Sequence, residues 1–278
     1  MSTMEMKYSV LMSVYHKENP EYFRESVESM LNQSVTPDEI VIVKDGPLND
    51  TLEKVVEYLD SFENVKFISL EKNLGLGKAL EIGIENCKNE YIARMDTDDI
   101  SIKNRCEKQL DYFQRFPDLS LVGTSISEFI GDSNNIVSYR RVPTEDQDIK
   151  KYMRTRSPFN HPSVMFKKSD VINAGSYKHW YLNEDYYLWV RMLLSKCKFA
   201  NINEPLLKMR INEDTFFRRG GWAYFMTQKK LFDYMFERKV INIGEYLYNN
   251  IVRFIARLLV PNNLRAYIYR RVLRKQSI

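Results

Sequence analysis

Residues Glu39–Gly46 read EIVIVKDG. The run Ile40–Val43 is apolar and β-branched without polar alternation, the pattern of a strand covered on both faces in a parallel sheet. A lysine and an Asp-Gly turn pair close it. Outward from this strand the same unit recurs. On the N-terminal side Tyr8–Val14 is another short apolar strand, and residues 21–34 between the two repeat apolar positions at Phe23, Val27, Met30 and Leu31, which is helical spacing. On the C-terminal side come a helix over 50–62, a strand Val65–Leu70, a helix over 76–88 and a strand Tyr91–Met95. Strand and helix alternating at this rhythm predict parallel strands joined by right-handed helical crossovers.

Beyond residue 117 the rhythm loosens. Leu119–Ile130 and Ile136–Val142 read as strands around a turn at Gly131–Asn135, and Ser163–Lys167 as a short strand. Glu184–Lys196 reads as a helix, followed by two strands, Lys198–Asn203 and Leu206–Ile211. The expectation is an α/β fold: a Rossmann-like half running into a mixed sheet flanked by helices, within one domain over residues 1–220. From Trp222 onward three helical segments are expected, broken near Asn242–Gly244 and Pro261–Asn263, so residues 221–278 form a helical extension.

The 278 residues are 44% hydrophobic and 28% charged, enough apolar material for a substantial core and too much for disorder. Three scattered cysteines, Cys87, Cys106 and Cys197, match neither a disulfide framework nor zinc-ligand spacing. No signal-peptide pattern opens the chain, and no apolar run approaches the roughly 18–20 residues that span a bilayer, so a cytoplasmic location is expected. The net charge of +4 is unevenly spread. Residues 221–278 carry 11 Lys+Arg against 3 Asp+Glu, leaving 30 against 34 before them. Opposite electrostatic characters suggest two jobs.

In open α/β sheets ligands bind where strands end at their carboxyl edge. Three polar clusters fall there: Ser13–Glu18, Asp45-Gly46 and Asp96–Asp99. Asp45 is either half of a tight turn or a carboxylate that accepts from a pyrimidine ring N–H. Asp96, Asp98 and Asp99 repel one another unless solvated, capping a helix or holding a cation. A cap uses one of them; three behind an apolar strand suit Mg²⁺ or Mn²⁺, which takes a few carboxylates plus phosphate oxygens. Glu184-Asp185 opens a helix and pairs well with its dipole. Asp185 also continues the apolar stripe Leu188, Trp189 and Met192, an inward position that suits a general base. Arg210, Arg218 and Arg219 flank Gly220-Gly221, as a diphosphate clamp or a solvated basic turn. His16 and His161 stand alone and read as structural.

In this order the clusters resemble the inverting family 2 glycosyltransferases of the GT-A fold. The matching residues are MSVYHKENP from Met12, IVIVKDG ending at Gly46, EKNLGLGKALEIGI from Glu71, RMDTDD from Arg94, Arg105, HPSVMF from His161 and NEDYYLWVRM from Asn183, together covering about residues 6–220. The resemblance implies a UDP-sugar donor held by Ser13, Val14, Tyr15, Asp45, Asp96, Arg105, Arg218 and Arg219. It implies Mn²⁺ or Mg²⁺ on Asp98 and Asp99, Asp185 as catalytic base, and Glu184 and His161 on the acceptor side. Some relatives place a histidine metal ligand where this chain has Asn212 in MRINED. Similar enzymes build bacterial O-antigen or capsule units on undecaprenyl diphosphate, which implies a lipid-diphosphate-linked saccharide acceptor.

Residues 247–278 hold no acid but seven basic residues, Arg253, Arg257, Arg265, Arg270, Arg271, Arg274 and Lys275, interleaved with apolar ones. This suits either an anionic inner-membrane surface, giving peripheral attachment, or a helical cap with a solvated basic face. No nucleic-acid recognition motif accompanies the charge. A sugar-nucleotide-forming nucleotidyltransferase would share the sheet and acidic site but needs a glycine-rich basic loop after the first strand, where this chain reads YHKENPEY. A non-enzymatic nucleotide-sugar binding protein at the membrane would need no Asp185.

Overall fold

The computed structural model of the chain describes residues 6–211 and 221–260. Its parallel half runs β1 (Tyr8–Val14), α1 (Pro20–Leu31), β2 (Glu39–Lys44), α2 (Asp50–Leu59), β3 (Val65–Ser69), α3 (Leu76–Asn86) and β4 (Tyr91–Arg94). These strands lie in the order β3-β2-β1-β4, all parallel. Alternating side chains divide the core. Val10, Met12, Ile40 and Ile42 pack with Phe23, Val27 and Met30 of α1 on one face. Leu11, Val41 and Val43 pack with Leu80 and Ile84 of α3 on the other. Pro20 at the first helical position and the Asn19 side chain, which accepts from the Glu21 and Tyr22 N–H groups at 2.9 and 3.2 Å, start α1. The register sets Val14 beside Lys44 but Arg94 beside Leu11, so β4 stops short of β1 and leaves a step on the rim.

The mixed half comprises β5 (Ile100–Ser101), α4 (Arg105–Arg115), β6 (Leu121–Phe129), β7 (Ile136–Arg140), α5 (Asp146–Met153), a 3₁₀ turn at His161–Ser163, β8 (Met165–Lys167), α6 (Lys168–Asn173), α7 (Glu184–Leu194) and β9 (Phe199–Arg210). The sheet continues β4-β8-β6-β9-β5, with β7 also on β6. β8 is antiparallel to β4 and β6, while β6 and β9 are parallel. The two strands expected over 198–211 are one strand. Its register on β6 shifts where Ser125 meets Pro205, a residue with no N–H to give the ladder, so the strand bends there without ending.

After the second described stretch begins, α8 (Gly221–Glu237) and α9 (Ile243–Phe254) follow, and α9 runs on into a π-helical turn at Ile255–Leu259. Leu231, Phe232 and Met235 of α8 are buried in the same core as Tyr186 and Trp189 of α7. Residue 221 therefore marks no break in the packing: α8 shares the core of the sheet domain. The third helical segment expected after Pro261 lies outside the described residues. No helix among the described residues is long and apolar enough to cross a membrane.

Candidate active site

β4 ends in Arg94, and the step beyond it carries the acidic run. One carboxylate oxygen from each of Asp96, Asp98 and Asp99 lies within 4.8 Å of the others. Asp96 pairs with Arg94, whose side chain is buried, and the Ser26 hydroxyl donates to the Asp96 carbonyl at 2.5 Å. Asp99 is 1% exposed. Its Oδ1 accepts the Arg210 backbone N–H at 2.9 Å, whereas Oδ2 is buried without a hydrogen-bond partner among the described residues. Burial, then repulsion from Asp96, pushes the Asp98 carboxyl up to about 6. Burial and the Asp98 charge raise Asp99 well above the usual carboxylate range. Such a set is short of positive charge and long on oxygen donors, the chemistry a hard divalent cation satisfies. The buried, unpartnered Asp99 oxygen fits that requirement better than helix capping does, since α4 begins only at Arg105 and Asn104 makes no side-chain cap.

Arg210 is the buttress of this cluster. Its guanidinium lies 3.7 Å from the Tyr22 ring centroid and 4.6 Å from that of Phe129. Nε donates to the Asp98 carbonyl at 3.0 Å, Nη1 to the Gly131 carbonyl at 3.1 Å, and Nη2 pairs with Glu25 at 2.6 Å. Expected from sequence in either a diphosphate clamp or a solvated basic turn, Arg210 spends its fork on the protein. Arg218 and Arg219, the other expected clamp residues, lie outside the described residues, as does Asn212.

Arg105 also makes its contacts inside the protein. Expected among the donor contacts, it is 0% exposed, and Nη1 donates to the carbonyls of Arg94 (3.3 Å) and Pro162 (2.8 Å). It ties the end of β4 to the 3₁₀ turn from beneath.

Asp45 follows β2 and is buried. Its Oδ1 accepts from the Leu74 N–H at 2.7 Å and its Oδ2 from the Gly75 N–H at 3.0 Å, one backbone bond on each oxygen. Gly46, at φ +87°, makes the approach possible, because a Cβ there would sit 2.7 Å from the Asn73 nitrogen. Asp45 thus clamps the loop into α3 against the ends of β1 and β2, beside half-buried Ser13 and Tyr15 and buried Val14. The next contact reaches across the site: a Cβ on Gly77 would stand 2.8 Å from the Lys178 carbonyl and 3.1 Å from Glu184 Cγ. The first turn of α3 therefore rests on the start of α7.

Glu184 and Asp185 occupy that start, both half-buried. Leu188, Trp189 and Met192 are fully buried as the stripe requires, but Val190 is too, and Tyr186 and Arg191 are buried, so the stripe alone does not single out Asp185. Burial raises the Glu184 carboxyl to about 7. His161, expected on the acceptor side, makes a 2.8 Å hydrogen bond through Nε2 to the Tyr177 hydroxyl, and its ring meets Trp189 edge-on at 6.1 Å. Burial and the Arg94 charge hold it well below its ordinary value, and the residue is partly exposed. Tyr177 is fully buried, and its hydroxyl is raised by burial, lowered by Arg94 and raised by Asp185, Asp96 and Glu184.

Arg94 and Tyr177 escaped the sequence reading. For Arg94 there was a signal, since a cation inside the apolar strand YIAR, two residues before an aspartate and on its face of the strand, demands a buried partner.

The profile of Glycosyl transferase family 2 matches residues 9–180, taking in the acidic run and the strands up to β8. The chain is 36% identical over 275 residues to the Escherichia coli UDP-Gal:alpha-D-GlcNAc-diphosphoundecaprenol beta-1,3-galactosyltransferase, covering 99% of both chains. It is 37% identical over 262 residues to the amylovoran biosynthesis glycosyltransferase AmsE of Erwinia amylovora, covering 94% of this chain and 97% of that one. Among solved structures, S. aureus TarS 1–349 in complex with UDP-GlcNAc shares the fold with a TM-score of 0.67 at 16% identity, over 90% of this chain and 73% of that one. The mixed sheet with its acidic rim is accordingly a GT-A fold, and the chain belongs to glycosyltransferase family 2.

Proposed function

We propose that this protein transfers a hexose from a UDP-sugar, with inversion and with the help of Mn²⁺ or Mg²⁺, to a hydroxyl of a saccharide linked to a lipid diphosphate, in O-antigen or capsule synthesis. The observation that carries the reading is the cluster of Asp96, Asp98 and Asp99 on the rim of the sheet, with Asp96 paired to buried Arg94. The near full-length likeness to an enzyme named for a UDP-sugar donor and a diphosphoundecaprenol acceptor supports the substrate class.

In this reading Asp98 and Asp99 hold the cation, and Asp96, fixed by Arg94, faces the ribose side of the donor. A bound divalent cation supplies charge neutralisation at the departing diphosphate. The end of β1 at Ser13–Tyr15 and the loop clamped by Asp45 shape the uridine pocket. Asp185 takes the proton from the acceptor hydroxyl as its oxygen attacks the anomeric carbon from the face opposite UDP. The new C–O bond forms as the bond to the diphosphate oxygen breaks, a single displacement that inverts the centre. Glu184, with its carboxyl raised to about 7, is partly protonated at neutral pH. It therefore adds less than a full like charge beside Asp185 and keeps a proton to donate to an acceptor oxygen. A lipid-anchored acceptor places the enzyme at the inner face of the cytoplasmic membrane as a peripheral protein.

Asp185→Asn tests the assignment. UDP release with acceptor is expected to fall by about 10²- to 10⁴-fold, the usual worth of a general base. UDP binding, measured by calorimetry with Mn²⁺, is expected to stay within about twofold of wild type, because the change keeps shape and hydrogen-bonding capacity. Near-normal turnover by this variant would remove Asp185 from the mechanism.

A further inference from the structure

Helix α9 is built inside out. Its polar residues face the protein: Asn249 is fully buried and donates to the Arg154 carbonyl at 3.0 Å, and Arg253 donates to the Thr155 carbonyl and lies 4.1 Å from the Phe232 ring centroid. Its apolar residues face away. Ile243, Leu247, Tyr248, Ile251, Ile255 and Leu259 recur at helical spacing along one side and are between 46% and 63% exposed. A water-facing helix has the opposite arrangement. At about 1.5 Å per residue the stripe runs roughly 24 Å, longer than the scattered apolar side chains of an ordinary surface.

The patch continues past the helix. Phe254 meets Phe225 of α8 edge-on at 5.7 Å, and Phe225 meets Trp222 at 5.6 Å, with Trp222 61% exposed. An exposed tryptophan at the margin of an apolar stripe suits the boundary between lipid and water. Charge identifies the lipid. From residue 247 to the end the sequence has seven cations and no acid; Arg253 and Arg257 turn inward onto Thr155 and Gln228, and the other five follow the helix in the sequence. A second copy of this chain would present the same cations to one another, whereas an anionic bilayer complements them. The surface also lies close to the site: Arg257 donates to Gln228 at 3.4 Å, and the adjoining Thr227 donates to the carbonyl of Tyr181, four residues before Asp185.

We infer that the outward face of α9, with Trp222 at its margin, is the surface by which this protein lies on an anionic bilayer. The inference rests on the lipid-linked acceptor proposed above and gives that reading a definite docking face, which overlaps the start of the 247–278 segment expected from sequence and extends it to Ile243 and Trp222.

The test is co-sedimentation of the full chain with vesicles of phosphatidylglycerol and phosphatidylethanolamine, beside vesicles of phosphatidylcholine alone. Wild type is expected to partition to the anionic vesicles, and Ile251→Glu/Ile255→Glu to bind them at least about tenfold less. The variant is expected to keep its melting temperature and its UDP release with a water-soluble acceptor. Leu247→Ser/Tyr248→Ser, a milder pair, is expected to weaken binding in the same direction. Equal binding by wild type and both variants overturns the inference, as does wild type that ignores anionic vesicles. A wild-type dimer in vesicle-free sedimentation that the variants abolish assigns the face to a second copy. A melting temperature lowered in both variants assigns it to the chain's own tail. Absence of transfer by wild type to any lipid-diphosphate acceptor, with vesicle binding intact, defeats the enzymatic reading and leaves the docking face standing.

Discussion

Substituting Asp98 by Asn should stabilise the cation-free protein, and by an amount that depends on pH. Burial and Asp96 move the Asp98 carboxyl from 3.8 to about 6. Each pKa unit is worth about 1.4 kcal/mol, so ionising this group in the folded state costs about 3 kcal/mol. Below the unfolded value of 3.8 both states are protonated and no cost arises. Between 3.8 and about 6 the folded state holds the extra proton, so stability falls as pH rises; above about 6 the full cost is present. Asn carries no charge at any pH and removes that slope. At pH 7.5 in EDTA the melting temperature of Asp98→Asn should exceed that of wild type by about 6–12 °C, taking about 2–4 °C per kcal/mol for a chain of this size. The two should converge near pH 4. Mn²⁺ at about 100 times its dissociation constant should return about 2.7 kcal/mol to wild type and little to the variant. Differential scanning calorimetry over pH 4–8, with and without Mn²⁺, measures every part of this. A variant less stable than wild type at pH 7.5 in EDTA, or a gap that does not close on acidification, would refute the claim that the cluster is held charged against its environment.

Three further substitutions probe the frame around the site. Gly77→Ala sets a methyl group against the Lys178 carbonyl and Glu184, so it should cost about 1–3 kcal/mol and lower turnover more than UDP affinity, as steady-state and binding measurements would separate. Arg210→Lys keeps the charge but loses the fork that joins Glu25, Gly131 and the Asp98 carbonyl between two rings; a loss of about 1–3 kcal/mol and weaker Mn²⁺ binding are expected by calorimetry. Tyr177→Phe strips His161 of its 2.8 Å partner, and thermal unfolding should show about 1–3 kcal/mol lost with Mn²⁺ affinity unchanged.

The parallel half was legible because its strands are buried on both faces and its helices on one, and those two demands write different periods into the sequence. Tyr8–Val14, Glu39–Lys44 and the acidic run after β4 stand where the apolar patterns put them. The mixed half was less legible. β5 and β8 are too short to carry a period, and Pro205 reads as a strand break although the parallel neighbour β6 holds both sides of it. Asp45 was assigned from its place after a strand and Arg105 from the family resemblance; both also bond backbone groups of loops that fold against them from distant sequence, Leu74-Gly75 and Pro162. Side-chain to backbone pairs of that kind leave no trace in spacing. The inverted polarity of α9 was hidden for the opposite reason, since its pattern is amphipathic and only the neighbours Arg154, Thr155 and Phe232 decide which side is inside.

Those hidden contacts connect the two halves of the proposed reaction. Asp45 holds the loop before α3, the first turn of α3 bears on Lys178 and Glu184 through Gly77, and the segment from Lys178 to Asn183 leads into Asp185. Beneath them Arg94 fixes Asp96 while its charge reaches Tyr177 and His161. A shift of the donor pocket must therefore move the helix that carries the base, because packed backbone at Gly77 leaves no room to absorb it. A reaction whose nucleophile and leaving group must lie in line across one carbon gains from such a linkage, since small misplacements of either are costly. Gly77→Ala consequently separates two accounts: if the linkage matters to chemistry, turnover falls at saturating donor and acceptor, whereas a merely structural glycine would leave saturated turnover unchanged at temperatures where the variant is folded.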